Sequence, residues 1–302
     1  MTKTLEDRLG AFLLAQIEAL DGKPPPSLYH YTSSAGMRAI IASGVLRAHN
    51  IGQMNDFAEA RYAASVMRAQ IDRQYALEAN LNADCLFAVM RDQMSSLDLS
   101  NVFVLSFTSD GDELGMWKLY ADRGQGFSFA LPILPALEWA AKTHQGFFAR
   151  CSYCVERLEE FCRSAVATIR EIFLADIAAG IHPDPVAYCE AFFRNVAWFA
   201  PVFKPRVWED EKEWRFVFTR PQCDHKTIEG GKHCIELPLR PSDEASFGPL
   251  TAICAGPNCD YEADILPLQA VLVSKGYDPS FAIHLARGHV TRPGRRPPNL
   301  RN

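Results

Sequence analysis

Nowhere in the 302 residues do about eighteen apolar residues run together, the length a bilayer-spanning helix needs, so no membrane span is expected. A basic surplus is missing too. Lys and Arg number 31 against 36 Asp and Glu, a formal net charge of −5, which gives no overall pull toward a phosphate backbone. The nine cysteines are odd in number and scattered, a poor disulfide framework, and reduced thiols are expected. Cys151 and Cys154 form a C-x-x-C, but no second pair at zinc-site spacing follows, since Cys254 and Cys259 stand further apart, so no metal is expected. The start of the chain carries Glu6 and Asp7 inside its first apolar stretch, unlike a secretory signal, which points to the cytoplasm. Walker A, G-x-G-x-x-G, H-E-x-x-H and G-x-S-x-G patterns are all absent, which removes the best-signposted enzyme classes.

What is present is a folding composition, 48% hydrophobic and 22% charged. Leu5, Leu9, Phe12, Leu13, Ile17 and Leu20 recur at helical spacing and predict an amphipathic helix. Pro24-Pro25-Pro26 then makes a stiff linker, so residues 1–26 read as a helix and linker ahead of one α+β domain at 27–286. Ser27 to Thr32 predicts a strand, Ser33-Ser34 supplies helix caps, Gly44 ends that helix, and Val45 to His49 predicts a second strand. Asn55-Asp56-Phe57 has turn character. Helical insertions are expected at about 59–94 and 156–200, and a short helix from 113 to 121. Further strands are expected at 101–108, 126–131, 149–153, 213–219, 234–237, 250–255 and 270–274. Unequal helical blocks between strands favour a mixed or antiparallel sheet over a doubly wound one. Residues 287–302 hold five arginines, three prolines and no acid, and read as a basic flexible tail.

The remaining signal is dispersed. Leu28-Tyr29-His30-Tyr31-Thr32, Asn55-Asp56-Phe57, Met116-Trp117, Glu211-Lys212-Glu213-Trp214-Arg215 and Gly256-Pro257, in this order, resemble a bacterial family catalogued as domain of unknown function 2971. Ala58 departs from that pattern, where proline is expected. The layout is also similar, more remotely, to the ADP-ribosyltransferase superfamily, with its first-strand His, middle-strand Ser or aromatic and late-strand Glu. That resemblance implies a bent, split sheet and an NAD-dependent ADP-ribosyltransferase or NAD glycohydrolase, of the kind met in toxins and phage defence. NAD would be the substrate, and the acceptor a protein or a nucleic acid. Glu213, His30 and Glu211 would be catalytic, with Tyr29, Tyr31, Thr32, Ser106, Thr108, Trp117, Tyr120 and Arg215 binding the nucleotide. The chemistry suits these residue types: cleaving the nicotinamide glycosidic bond builds positive charge on the ribose, which a carboxylate stabilises. A non-catalytic sensor that binds a nucleotide in the same cleft is the alternative.

Each residue also has a plainer reading. Period two sets Glu213, Arg215 and Val217 on one face of their strand and Trp214, Phe216 and Phe218 on the other, a core face. Glu213 is then either the catalytic carboxylate, with Arg215 on the nucleotide, or the two are a surface ion pair worth about 0 to 1 kcal/mol. The same period puts Glu211 on the Glu213 face, one pleat earlier. His30 faces away from Tyr29 and Tyr31 and is either a ligand contact or structural. Trp117 and Tyr120 share a helix face, for stacking on a ligand or for core packing. Ser106 and Thr108 share a strand face, and their hydroxyls bond a ligand or the backbone.

Overall fold

The computed structural model describes residues 4–20, 22–54, 57–93, 99–134, 136–137, 146–219, 226–228, 231–239 and 250–287. It is a mixed α+β protein, and the described residues build one ten-stranded sheet. In chain order the strands are β1 (Ser27–Thr32), β2 (Val45–Asn50), β3 (Val102–Thr108), β4 (Phe127–Pro132), β5 (Gly146–Arg150), β6 (Glu213–Thr219), β7 (Lys226–Ile228), β8 (Lys232–Pro238), β9 (Ala252–Ala255) and β10 (Ile283–Leu285). The helices are α1 (Leu5–Leu20), α2 (Ser34–Ser43), α3 (Phe57–Leu77), α4 (Leu81–Gln93), α5 (Leu114–Tyr120), α6 (Val155–Ala178), α7 (Pro185–Ala197) and α8 (Leu266–Ser274). Among the described residues no helix is long and apolar enough to cross a membrane.

The sheet forks at β3. One edge of β3 pairs with β6 along its whole length, from Val102 opposite Thr219 to Thr108 opposite Glu213. The other edge is shared: β2 pairs at one end, with His49 opposite Val104, and β1 at the other, with Tyr29 opposite Thr108. Beyond those pairs β1 turns to β4 and β2 turns to β8, both antiparallel, so the two strands part and the middle of β3 is left open between them. Among the described strands the pairings are antiparallel except β9 with β10.

Both faces of this sheet are covered, which explains why Val102 to Thr108 is almost wholly apolar. Val102, Val104 and Val217 face a core built by α1, α3, α4, α6 and α7, while Phe103, Leu105, Trp214, Phe216 and Phe218 face a second core that includes α2 and α8. The core face expected for Trp214, Phe216 and Phe218 is therefore present. α6 buries Leu158, Phe161, Cys162, Ala165, Val166, Ile169, Ile172 and Phe173 at helical spacing. Leu9 and Leu13 bring α1 into the same core, and Arg8 bonds Asp176 of α6 at 2.8 and 2.5 Å.

Local signals set the elements beside the fork. The Ser33 hydroxyl caps α2 by accepting from the Gly36 N–H, and Gly44 ends it in the left-handed conformation, φ 65°. These two punctuation marks fix the length of the crossover between β1 and β2. The strand expected at 149–153 lies earlier, at 146–150. The strand expected at 270–274 is instead the end of α8. Asp260 accepts from the Glu262 and Ala263 N–H groups, nucleates a helical turn, and lets Leu268 and Leu272 share one buried face. A short β-branched run does not outweigh that cap. Asn55 and Asp56 of the expected turn, and residues 288–302 of the expected tail, lie outside the described residues.

Candidate functional site

The open stretch of β3 floors a cleft of about 840 Å³, walled by β1 and β2 and reached by Tyr120 and Glu211. On that edge the register passes from β2 at Val104 to β1 at Thr108, and between the two His30 Nδ1 lies 2.9 Å from the Ser106 carbonyl. A carbonyl only accepts, so Nδ1 carries the hydrogen and Nε2 of the neutral ring keeps a lone pair. Burial holds the imidazole below its usual pKa, opposed by the bond to Ser106. Phe107 and Phe129 pack against the ring, with centroids at 5.8 and 5.3 Å.

The carboxylate side of the cleft rests on a buried ion network. Glu213 accepts from Arg215 Nε at 2.7 Å and Nη2 at 3.0 Å, and from Lys204 Nζ at 2.7 Å. Lys204 also donates to Glu211, whose other oxygen accepts from the Tyr120 hydroxyl at 2.5 Å. Exposures are 5% for Glu211 and Glu213, 2% for Lys204 and 0% for Arg215, so the surface-pair reading of Glu213 and Arg215 does not hold. At this end of the strand their side chains lie under the segment 200–204, which supplies Lys204 and the Pro201 carbonyl. Arg215 further donates to the Pro201 carbonyl at 2.6 Å. The Cys151 thiol sits 3.7 Å from Glu213.

Glu211 does not lie one pleat along the strand from Glu213. It ends a 3-10 turn, Arg206–Glu211, and Lys212 then adopts φ 47°, ψ 44° before β6 begins. That left-handed residue reverses the chain, so both carboxylates converge on one lysine. Lys204 is held there by backbone bonds, its N–H to the Ser152 carbonyl at 3.0 Å, and the Ser152 N–H to the Val202 carbonyl at 2.7 Å. Lys204 was absent from the expected site. A single lysine inside Ala200-Pro201-Val202-Phe203-Lys204-Pro205 is the kind of signal that marks a buried cation in need of a carboxylate.

Burial works against the ionised form of Glu213, but Arg215 and Lys204 outweigh it and hold the carboxyl far below the usual range, from 4.5 to about 2. A depressed carboxyl stabilises the fold above its unfolded pKa and loses that contribution as pH falls through the folded value. The stability advantage of the wild type over Glu213→Gln should therefore stay constant above about pH 5 and shrink between there and about pH 2, checked by urea unfolding across that range.

The other expected residues divide. Tyr29, Thr32, Ser106 and Thr108 border the cleft. The Tyr29 ring lies on Gly111, where a β-carbon would come within 2.3 Å of it. The Ser106 hydroxyl is buried with no hydrogen-bond partner among the described residues, whereas Thr108 accepts from the Asp110 N–H at 3.3 Å. Tyr31 also borders the cleft, but its hydroxyl is committed to the Asp110 carbonyl and the Glu113 N–H. Trp117 is 2% exposed and does not border the cleft; it packs edge-to-face on Tyr31 at 4.7 Å and donates to Asp112 at 2.8 Å. Its expected stacking on a ligand has no free ring face. Arg215, fully buried behind Glu213, likewise does not reach the cleft.

Sequence reading also missed the opposite wall, where Arg47 and His49 of β2 and Lys232 and His233 of β8 border the cleft. Among the described residues no group of three or more His, Cys, Asp or Glu side chains is placed to hold a metal ion. No family model, curated protein or solved structure matches the chain.

Proposed function

We propose that the forked cleft binds NAD and breaks its nicotinamide glycosidic bond, passing the ADP-ribosyl group to an acceptor or to water. The observation that carries this reading is that His30 and the Glu211 and Glu213 carboxylates, from distant parts of the chain, border one cleft of about 840 Å³. That volume suits a small-molecule ligand, for which sites span about 300–1,000 Å³. The resemblance to the ADP-ribosyltransferase layout supports the same reading. In this reaction the bond from ribose carbon to nicotinamide nitrogen breaks and nicotinamide leaves with the electron pair. The sugar carries positive charge until an acceptor atom attacks and gives up its proton. Lys204 and Arg215 keep Glu213 ionised away from water, which supplies a fixed negative charge beside the cleft. Glu211 is the group we assign to the acceptor's proton, and the free Nε2 of His30 and the unbonded Ser106 hydroxyl suit ribose hydroxyls.

A second reading, nucleotide binding without turnover, is favoured by one observation. Both oxygens of Glu213 are already taken by Lys204 and Arg215. Incubating the purified protein with NAD and following free nicotinamide by chromatography separates the two. Release is the expected result. Calorimetric binding of NAD with no release leaves the sensor, and neither binding nor release defeats both readings.

A further inference from the structure

We propose that the wall of the cleft formed by β2 and β8 is an anion subsite that seats the diphosphate of a nucleotide, with Lys232 and Arg47 as its charges. The assignment rests on the nucleotide-cleft reading but not on turnover. Its basis is the register. Arg47 stands opposite Glu236 and His49 opposite Cys234, with Lys232 two residues before Cys234, so Arg47, His49 and Lys232 leave the same face of the sheet. His49 is opposite Val104, which identifies that face as the one carrying Ser106, Thr108 and Glu213. The two walls of the cleft thus differ in charge along a single face.

Among the described residues the cations on this wall outnumber their carboxylate partners. Glu236 accepts from both Arg47, at 3.3 Å, and Lys226. Lys232 is exposed, borders the cleft and has no ion pair among the described residues. Between them the half-buried His49 has its pKa lowered, first by burial and then by Lys232 and Arg47, so both charges act on one point. Like charges on neighbouring strands repel, and an anion between them relieves that repulsion. The wall is also positioned. Gln53 accepts from the His233 N–H at 2.6 Å and donates to the Gly231 carbonyl at 3.2 Å, which ties the start of β8 to the turn after β2.

Spacing agrees with a dinucleotide. Arg47 and Glu213 flank β3 on opposite edges, and ordinary strand spacing and rise would set them roughly 12 Å apart, a distance the fork widens. A diphosphate between Lys232 and Arg47 would leave a ribose attached to it extending toward Ser106 and Glu213. The uncharged end of the ligand would then lie over the β3 floor.

Titration calorimetry with ADP, adenosine and inorganic pyrophosphate on the wild type, Lys232→Gln and Arg47→Gln tests this. The wild type should bind ADP about tenfold or more tighter than adenosine, and Lys232→Gln, at an exposed position, should erase most of that difference while leaving adenosine affinity unchanged. Arg47→Gln should act in the same direction. The proposal is overturned if the wild type binds no ADP, if ADP and adenosine bind equally, or if both variants bind ADP as tightly as the wild type. It is also overturned if pyrophosphate binds in a Lys232-dependent way and ADP does not, which would mark a bare-anion site. ADP binding that depends on Lys232 without any release of nicotinamide from NAD would sustain the subsite and remove the turnover reading alone.

Discussion

Glu213→Gln is expected to cost about 3–5 kcal/mol of unfolding free energy, the scale of breaking a buried ion pair from one side. Glutamine can still hydrogen-bond, but it cannot neutralise Arg215 and Lys204, which are 0% and 2% exposed. Lys204 would keep Glu211, while Arg215 would lose the Glu213 carboxylate and keep its bond to the Pro201 carbonyl. Desolvated charge with no counter-charge is what makes such a change severe. A solvent-facing pair of the same residues would lose at most about 1 kcal/mol. Urea unfolding at pH 7, with m unchanged so that the midpoint reports stability, distinguishes the two. A loss below about 1 kcal/mol would mean that water reaches the network and screens it.

The same residues show what a sequence can and cannot disclose. The alternation in Glu213 to Phe218 assigns each side chain to a face, and Trp214, Phe216 and Phe218 could only be core. It does not say what covers the other face. A covering segment turns an E-x-R pattern from a surface pair into a buried network, and no local signal tells that residues 200–204 pack over the start of β6. The fork is hidden for a similar reason. β1, β2 and β3 are each legible from their β-branched and aromatic runs, but that β1 and β2 share one edge of β3 follows from long-range pairing. Trp117 and Tyr120, three apart on a helix, look alike in sequence. A seven-residue helix laid along the cleft mouth buries one against Tyr31 and leaves the other 42% exposed against Glu211.

If Glu213 supplies the charge that a developing ribose cation needs, Glu213→Gln should also lower nicotinamide release by at least about 10²-fold, or about 2.7 kcal/mol of transition-state stabilisation. The stability loss confounds that measurement, since a partly unfolded enzyme is also a slow one. Pairing the change with Lys204→Met removes one cation together with one anion, and the methionine keeps much of the lysine stem's volume. The remaining Arg215 and Glu211 then carry no net charge, so the double variant should recover a large part of the stability lost by Glu213→Gln. Its turnover should not recover, because the carboxylate nearest the ribose is still missing. Lys204→Met alone completes the cycle: Glu213 stays ionised by Arg215, and turnover in the folded fraction should remain within about tenfold of the wild type. A double variant that is stable and releases nicotinamide at the wild-type rate would assign Glu213 to the fold and not to the chemistry.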